Sequence, residues 1–156
     1  MDTTPHPGDS ASLQIDATPD ELYAIVSDIS RMGELSPECT GGRWLGKGGP
    51  AVGASFLGFN KRGWVRWLTL NKVVAAEPGK EFAFHTTANG TRWGYTFEAV
   101  DGGTLVTESR TAFKPRPGSA AFVSKVFLGG VEEHDDEMRA GMVATLERLK
   151  AVAESA

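Results

Sequence analysis

The stretch Val131–Glu154, VEEHDDEMRAGMVATLERLKAVAE, is the one long segment with an unmistakable helical period. Val131, Met138, Met142, Leu146, Leu149 and Val152 are spaced so that they share one face of a helix. Glu132, Glu133, Asp135, Asp136 and Glu137 crowd its first turns, while Arg139, Arg148 and Lys150 come later, which matches the helix macrodipole. No proline interrupts it. Working outward, almost everything between residues 12 and 113 reads as short strands able to curl around such a helix. The question this sets is what lies between sheet and helix, a packed core or a pocket.

Ahead of the strands, residues 1–10 are polar with two prolines and are expected as a disordered tail. Residues 11–17 alternate as a short strand. Thr18, Pro19 and Glu21 then form a capping box with proline at the first helical position, starting a helix to about Ser27. A second short helix is expected over residues 28–35, ended by Ser36-Pro37. From Cys39 the period changes to two, predicting strands over 41–46, 54–60, 64–76, 81–87, 91–100 and 104–113. Pro78-Gly79, Asn89-Gly90 and Asp101-Gly102-Gly103 mark the turns. Consecutive hairpin links make the sheet antiparallel. The expected architecture is α+β: a curved antiparallel sheet of about seven strands wrapped around the long C-terminal helix, with two short helices after strand 1. Residues 11–156 read as one domain. Residues 119–128, apolar at Phe122, Val126 and Phe127 and bounded by glycine and proline, read either as a lid or as a surface connection.

Bulk properties narrow the partners. The chain has 156 residues, 40% hydrophobic and 23% charged, an ordinary soluble composition with enough length for a real core. A formal net charge of -4 argues against nucleic acid. The single cysteine, Cys39, allows no internal disulfide and fits a reducing compartment. The N-terminus lacks the pattern of a secretory signal, and no apolar run approaches the ~20 residues that span a bilayer. A cytoplasmic monomer or homodimer without membrane insertion is expected.

At this point the residues resemble a known family. Ile15-Asp16-Ala17-Thr18-Pro19-Asp20-Glu21-Leu22-Tyr23, Val26-Ser27-Asp28 and Leu35-Ser36-Pro37 match, as does Val52-Gly53-Ala54 before a strand. So do Trp93-Gly94-Tyr95-Thr96-Phe97 and the run Asp101-Gly102-Gly103-Thr104-Leu105-Val106-Thr107-Glu108-Ser109. The chain is similar in these positions to the START-like, helix-grip superfamily (SRPBCC), which includes polyketide cyclase/dehydrase-like proteins and the birch-pollen-allergen fold. The resemblance implies a deep cavity between sheet and helix that takes lipids, sterols, polyketides or other apolar molecules. Some members are aromatases or cyclases. The matching positions are structural, so they speak for the fold and not for a reaction.

Candidate site residues follow from face and chemistry. Phe56, Trp67, Phe82, Phe84, Trp93, Tyr95, Phe97 and Phe113 alternate on strands, either as packed core or, as the resemblance implies, as cavity lining. Gly141 leaves room inside the helix beside Met138 and Met142, whose flexible thioethers suit irregular ligands as well as cores. Thr107 and Ser109 share the parity of Phe113 and are expected to offer hydroxyls inward. His134, one turn before Met138, is a candidate general acid or base with Tyr95; a capping or solvated histidine is the plain reading. Glu108 is expected outside, with Arg92 and Arg110 pairing Glu98 and Glu108 across the solvent face. His85 is expected to face solvent. The run His134-Asp135-Asp136-Glu137 points in several directions around a helix and does not converge on one ion. No metal, cofactor, phosphate loop or dinucleotide fingerprint is expected. Two functions stand: binding of a hydrophobic or amphipathic small molecule, and aromatase/cyclase or dehydratase chemistry on a polyketide-like substrate. A chaperone-like interaction protein is a third class.

Overall fold

The computed structural model describes residues 9–36, 39–46, 49–87, 90–112 and 131–155, with the side chains of Asp9 and of residues 131–139 outside the description. Seven strands form one antiparallel sheet: β1 (Asp9–Ile15), β2 (Cys39–Leu45), β3 (Ser55–Arg62), β4 (Val65–Glu77), β5 (Glu81–Thr86), β6 (Thr91–Val100) and β7 (Gly103–Ala112). Their order across the sheet is β1-β7-β6-β5-β4-β3-β2. Strands β2 to β7 meander through hairpins, and β1 closes on β7, so the first and last strands lie side by side. Helices α1 (Pro19–Ser27) and α2 (Met32–Leu35), linked by a 3-10 turn at Ile29–Arg31, follow β1; α3 is Val131–Glu154. The α+β helix-grip architecture, with two short helices after strand 1, is therefore the observed one.

Local sequence explains where the elements begin. Thr18 Oγ1 accepts from the Glu21 amide at 3.1 Å and Glu21 Oε2 accepts from the Thr18 amide at 3.2 Å, the reciprocal capping box expected from the sequence. Leu22, Tyr23 and Val26 on α1, then Ile29 and Leu35, turn their buried sides to the sheet. On α3, Met142, Leu146 and Leu149 are buried at helical spacing against β1, α1, α2 and the edge of β7. Gly33 is required where α2 crosses β2, because a Cβ there would lie 2.4 Å from the Thr40 carbonyl oxygen.

Two bulges, between Cys39 and Gly41 and between Val73 and Ala75, break the period of two. After the second, Ala76 pairs with Phe82 and packs on the core, the face that strict alternation from Val73 assigns to Ala75. Asp9 and Ser10, expected in a disordered tail over residues 1–10, belong instead to β1, paired with Arg110 and Ser109 of β7. The rest of that tail, the stretch 119–128, Phe113, and the side chains of His134 and Met138 lie outside the described residues. Among the described residues, no helix is long and apolar enough to cross a membrane.

Candidate functional site

The concave face of the sheet carries Phe56, Trp67, Phe82, Phe84, Trp93, Tyr95 and Phe97, all on the parity that faces the helices. Phe56 and Phe82 are fully buried, Phe84, Tyr95 and Phe97 nearly so, and Trp67 and Trp93 are half-buried. The phenylalanines pack into one another. Phe56 and Phe84 stand edge to face at 5.0 Å, and Trp44 meets Phe56 at 5.4 Å. Tyr23 of α1 meets both Phe82 and Phe97 at 6.2 Å. The α1 end of the sheet is therefore a packed aromatic core. Met142 is buried and Gly141 half-buried on α3.

Strand β7 departs from the sequence expectation. Thr104 and Val106 are fully buried and Glu108 is 3% exposed, so the even-numbered residues face inward. Thr107 and Ser109 consequently lie on the convex face and do not offer hydroxyls to the interior. Thr107 Oγ1 instead bonds Ser12 Oγ at 2.8 Å, on an exposed part of β1. Ser109 stands opposite Gly94, on the side away from Tyr95. Arg92 pairs with Glu81 at 3.3 Å, not with Glu98, and Arg110 shares the inward parity of Glu108. His85 is half-buried on the convex face between Lys72 and Arg92, and burial and Arg92 both lower its pKa.

The inward position of Glu108 sets the chemistry of the site. Tyr95 on β6 and Glu108 on β7 are cross-strand partners, and Tyr95 Oη donates to Glu108 Oε1 at 3.0 Å. The second oxygen, Glu108 Oε2, is buried and has no hydrogen-bond partner among the described residues. Burial disfavours the carboxylate and pushes the Glu108 pKa up to about 8, against the opposing pull of the Tyr95 hydrogen bond. Burial, and then the neighbouring Glu108, hold the Tyr95 phenol well above its ordinary range, with the Cys39 thiol adding to the effect. Cys39 itself is pushed up by burial, which keeps it a thiol and not a nucleophilic thiolate. At neutral pH the pair is thus a phenol and a carboxylic acid, with one acid oxygen and its proton uncommitted. Sequence reading missed Glu108 as a site residue because it assigned charge to the solvent face.

A second polar group on the same face is self-contained. Thr86 Oγ1 donates to Asn71 Oδ1 at 2.7 Å, and Asn71 Nδ2 donates to Thr69 Oγ1 at 3.0 Å. Both Asn71 and Thr86 are buried, and each finds its partner within the group. That marks it as a structural bridge between β4 and β5, in contrast to Glu108.

Comparison with known proteins agrees with this architecture. The family model described as "Polyketide cyclase / dehydrase and lipid transport" matches residues 10–154. A polyketide-cyclase-like protein from Corynebacterium glutamicum, solved by NMR, is 33% identical over 94% of this chain and 88% of its own, with a TM-score of 0.60. The di-domain ARO/CYC StfQ of the steffimycin biosynthetic pathway superposes with a TM-score of 0.73 at 16% identity, over 96% of this chain and 51% of its own. The protein Ara h 8.0201 superposes with a TM-score of 0.65 at 14% identity, over 97% of this chain and 99% of its own. These last two likenesses speak for the fold. No curated protein matches the chain by sequence. With a family model that spans nearly its whole length and a relative one-third identical, the chain belongs to the polyketide cyclase/dehydrase and lipid transport family.

Proposed function

We propose that the concave face binds an amphipathic small molecule that is largely apolar and carries a carbonyl or similar oxygen, and that this oxygen accepts a hydrogen bond from Glu108 Oε2. The observation that carries the reading is the buried Glu108 carboxyl with one oxygen bonded to Tyr95 and the other unpartnered. A buried polar atom left unsatisfied costs about 1–3 kcal/mol, which a ligand acceptor recovers on binding. Trp93 stands in the cross-strand pair next to Tyr95 and Glu108 and is only half-buried, so it supplies apolar contact beside the acid. Phe84, the cross-strand partner of Trp93 on β5, extends the apolar lining. Because both carboxyl oxygens are covered, binding requires side-chain movement at this wall. Family membership supports a ligand of this class, as does the likeness in fold to StfQ, an ARO/CYC of the steffimycin biosynthetic pathway.

One observation favours a second reading, catalysis of cyclisation or dehydration in the same place. A carboxyl with a pKa of about 8 is poised to give and regain a proton near neutrality. Glu108 would then protonate or polarise a substrate carbonyl oxygen, with Tyr95 as its positioning residue. A carboxylic acid held neutral by an apolar site is an established way to donate to a developing oxyanion.

A pair of probes tests the reading: 2-acetylnaphthalene and 2-ethylnaphthalene, which differ at the carbonyl. At pH 6.5 the ketone should bind about tenfold more tightly to the wild type, the equivalent of one good hydrogen bond. Glu108→Ala should erase the difference, and Glu108→Gln, which keeps an N–H donor, should retain it. Equal affinity of the two probes for the wild type contradicts the reading. If a polyketide-like substrate is turned over, Glu108→Gln should bind it and leave it unchanged.

A further inference from the structure

The charge of this chain is unevenly distributed. Between Glu38 and Glu77 there is no acidic residue, yet six of the 16 Lys and Arg fall there: Arg43, Lys47, Lys61, Arg62, Arg66 and Lys72. The rest of the chain holds the other 10 basic residues against all 20 acidic ones. A protein of net charge -4 therefore carries a wholly cationic segment, and that segment is β2, β3 and β4.

The same segment holds nearly all the exposed apolar bulk. Leu45, Val52, Trp64, Val65, Leu68 and Leu70 are exposed, and among described residues only Val143 joins them from elsewhere. Trp64, in the β3–β4 turn, is 100% exposed. The register orders the convex face behind it. Lys61 lies opposite Arg66, then Phe59 opposite Leu68, then Leu57 opposite Leu70 with Arg43 on its other side, then Ser55 opposite Lys72. An apolar band is thus bracketed by cations, all four of which (Arg43, Lys61, Arg66 and Lys72) are exposed. Like charges directly opposite on neighbouring strands, as at Lys61 and Arg66, repel unless an anion lies over them.

We propose that the β3–β4 hairpin and the convex face behind it dock on an anionic lipid bilayer. Trp64 and Val65 enter the headgroup layer, while Lys61, Arg66, Arg43 and Lys72 meet lipid phosphates. A Trp on a hairpin tip suits the membrane–water interface, where the indole finds an apolar and a wet side at once. A protein partner would need a pocket shaped for that indole; a bilayer needs none. Clustered Lys and Arg are drawn to the negative surface of such a leaflet, and the acidic remainder orients the hairpin toward it. This is surface contact, separate from the concave site and independent of what binds there.

Flotation of the full chain with vesicles tests it, using phosphatidylcholine alone and phosphatidylcholine with about 30% phosphatidylglycerol, an anionic surface. Binding is expected only to the anionic vesicles, falling severalfold at about 0.5 M salt as screening shortens the field. Trp64→Ala and the double variant Lys61→Glu/Arg66→Glu should each lose at least fivefold, whereas Val143→Ser should bind as wild type. Circular dichroism confirms that each variant is folded. Absence of binding to anionic vesicles overturns the proposal and leaves the face to an acidic protein. Binding by Trp64→Ala equal to wild type overturns it as well.

Discussion

Tyr95 Oη lies 3.0 Å from Glu108 Oε1, across two neighbouring strands, and this contact joins the two least solvent-tolerant ionisable groups on the concave face. Neither ionises readily there. The phenol donates, the carboxyl accepts through one oxygen, and the other oxygen is left to whatever the face receives.

The raised pKa of Glu108 makes stability depend on pH with a defined sign. The group titrates at 4.5 when solvated and at about 8 when folded. Between those values the folded chain holds a proton that the unfolded chain has lost, so the Glu108 contribution falls as pH rises and levels off above pH 8. Each unit in that window costs at most about 1.4 kcal/mol. Glu108→Gln lacks the slope. Urea unfolding at pH 5 and pH 9 should show the variant gaining at least about 2 kcal/mol on the wild type as pH rises. Glu34 and Glu154, whose pKa values are lowered by Arg31 and Lys150 respectively, are common to both proteins and cancel in that difference. A difference independent of pH contradicts the burial of an ionisable carboxyl.

Tyr95→Phe removes the donor to Glu108 and nothing else. Because that hydrogen bond pulls the Glu108 pKa down, its loss should let the value rise further. The unpaired buried oxygen should cost about 1–3 kcal/mol at pH 7 in urea unfolding. Unchanged stability and unchanged titration would mean the contact is not formed in solution.

Leu149 is fully buried on the inner face of α3, whereas Val143 is 46% exposed on the same helix. Leu149→Ala should destabilise the fold by about 2–5 kcal/mol through lost burial and the void left behind. Val143→Ala should stay within about 0.5 kcal/mol. Thermal unfolding of the two variants side by side checks which face of the helix grips the sheet.

Thr18→Ala should cost about 1 kcal/mol, since it removes the side-chain acceptor for the Glu21 amide at the start of α1. Denaturant unfolding measures it. No loss would show that the start of α1 does not depend on its cap.

The residues made the architecture legible but gave the wrong face for one strand. The expected bounds of the long helix and of the strand over 91–100 coincide with α3 and β6, because apolar spacing and turn chemistry agree there. On β7 they do not agree. Leu105 and Val106 offer an aliphatic residue to each face, so alternation alone cannot choose, and the habit of placing charge outside turned Glu108 outward and Thr107 and Ser109 inward. The structure settles it through Thr104 and Val106, both fully buried. The bulge after Val73 leaves no mark in composition either, since Val74, Ala75 and Ala76 fit both faces. A buried acid runs against every local rule, and such a conflict is where functional sites are found.

The most direct measurement is a carbon-13 NMR titration of the Glu108 side-chain carboxyl, assigned by its loss in Glu108→Gln, with and without saturating 2-acetylnaphthalene. A midpoint near 8 is expected in the free protein and a higher one with the ketone, because an acceptor binds the protonated acid and not the carboxylate. A midpoint near 4.5, or one that the ketone leaves unmoved while it is bound, would contradict the assignment of Glu108 as a buried acid that meets the ligand.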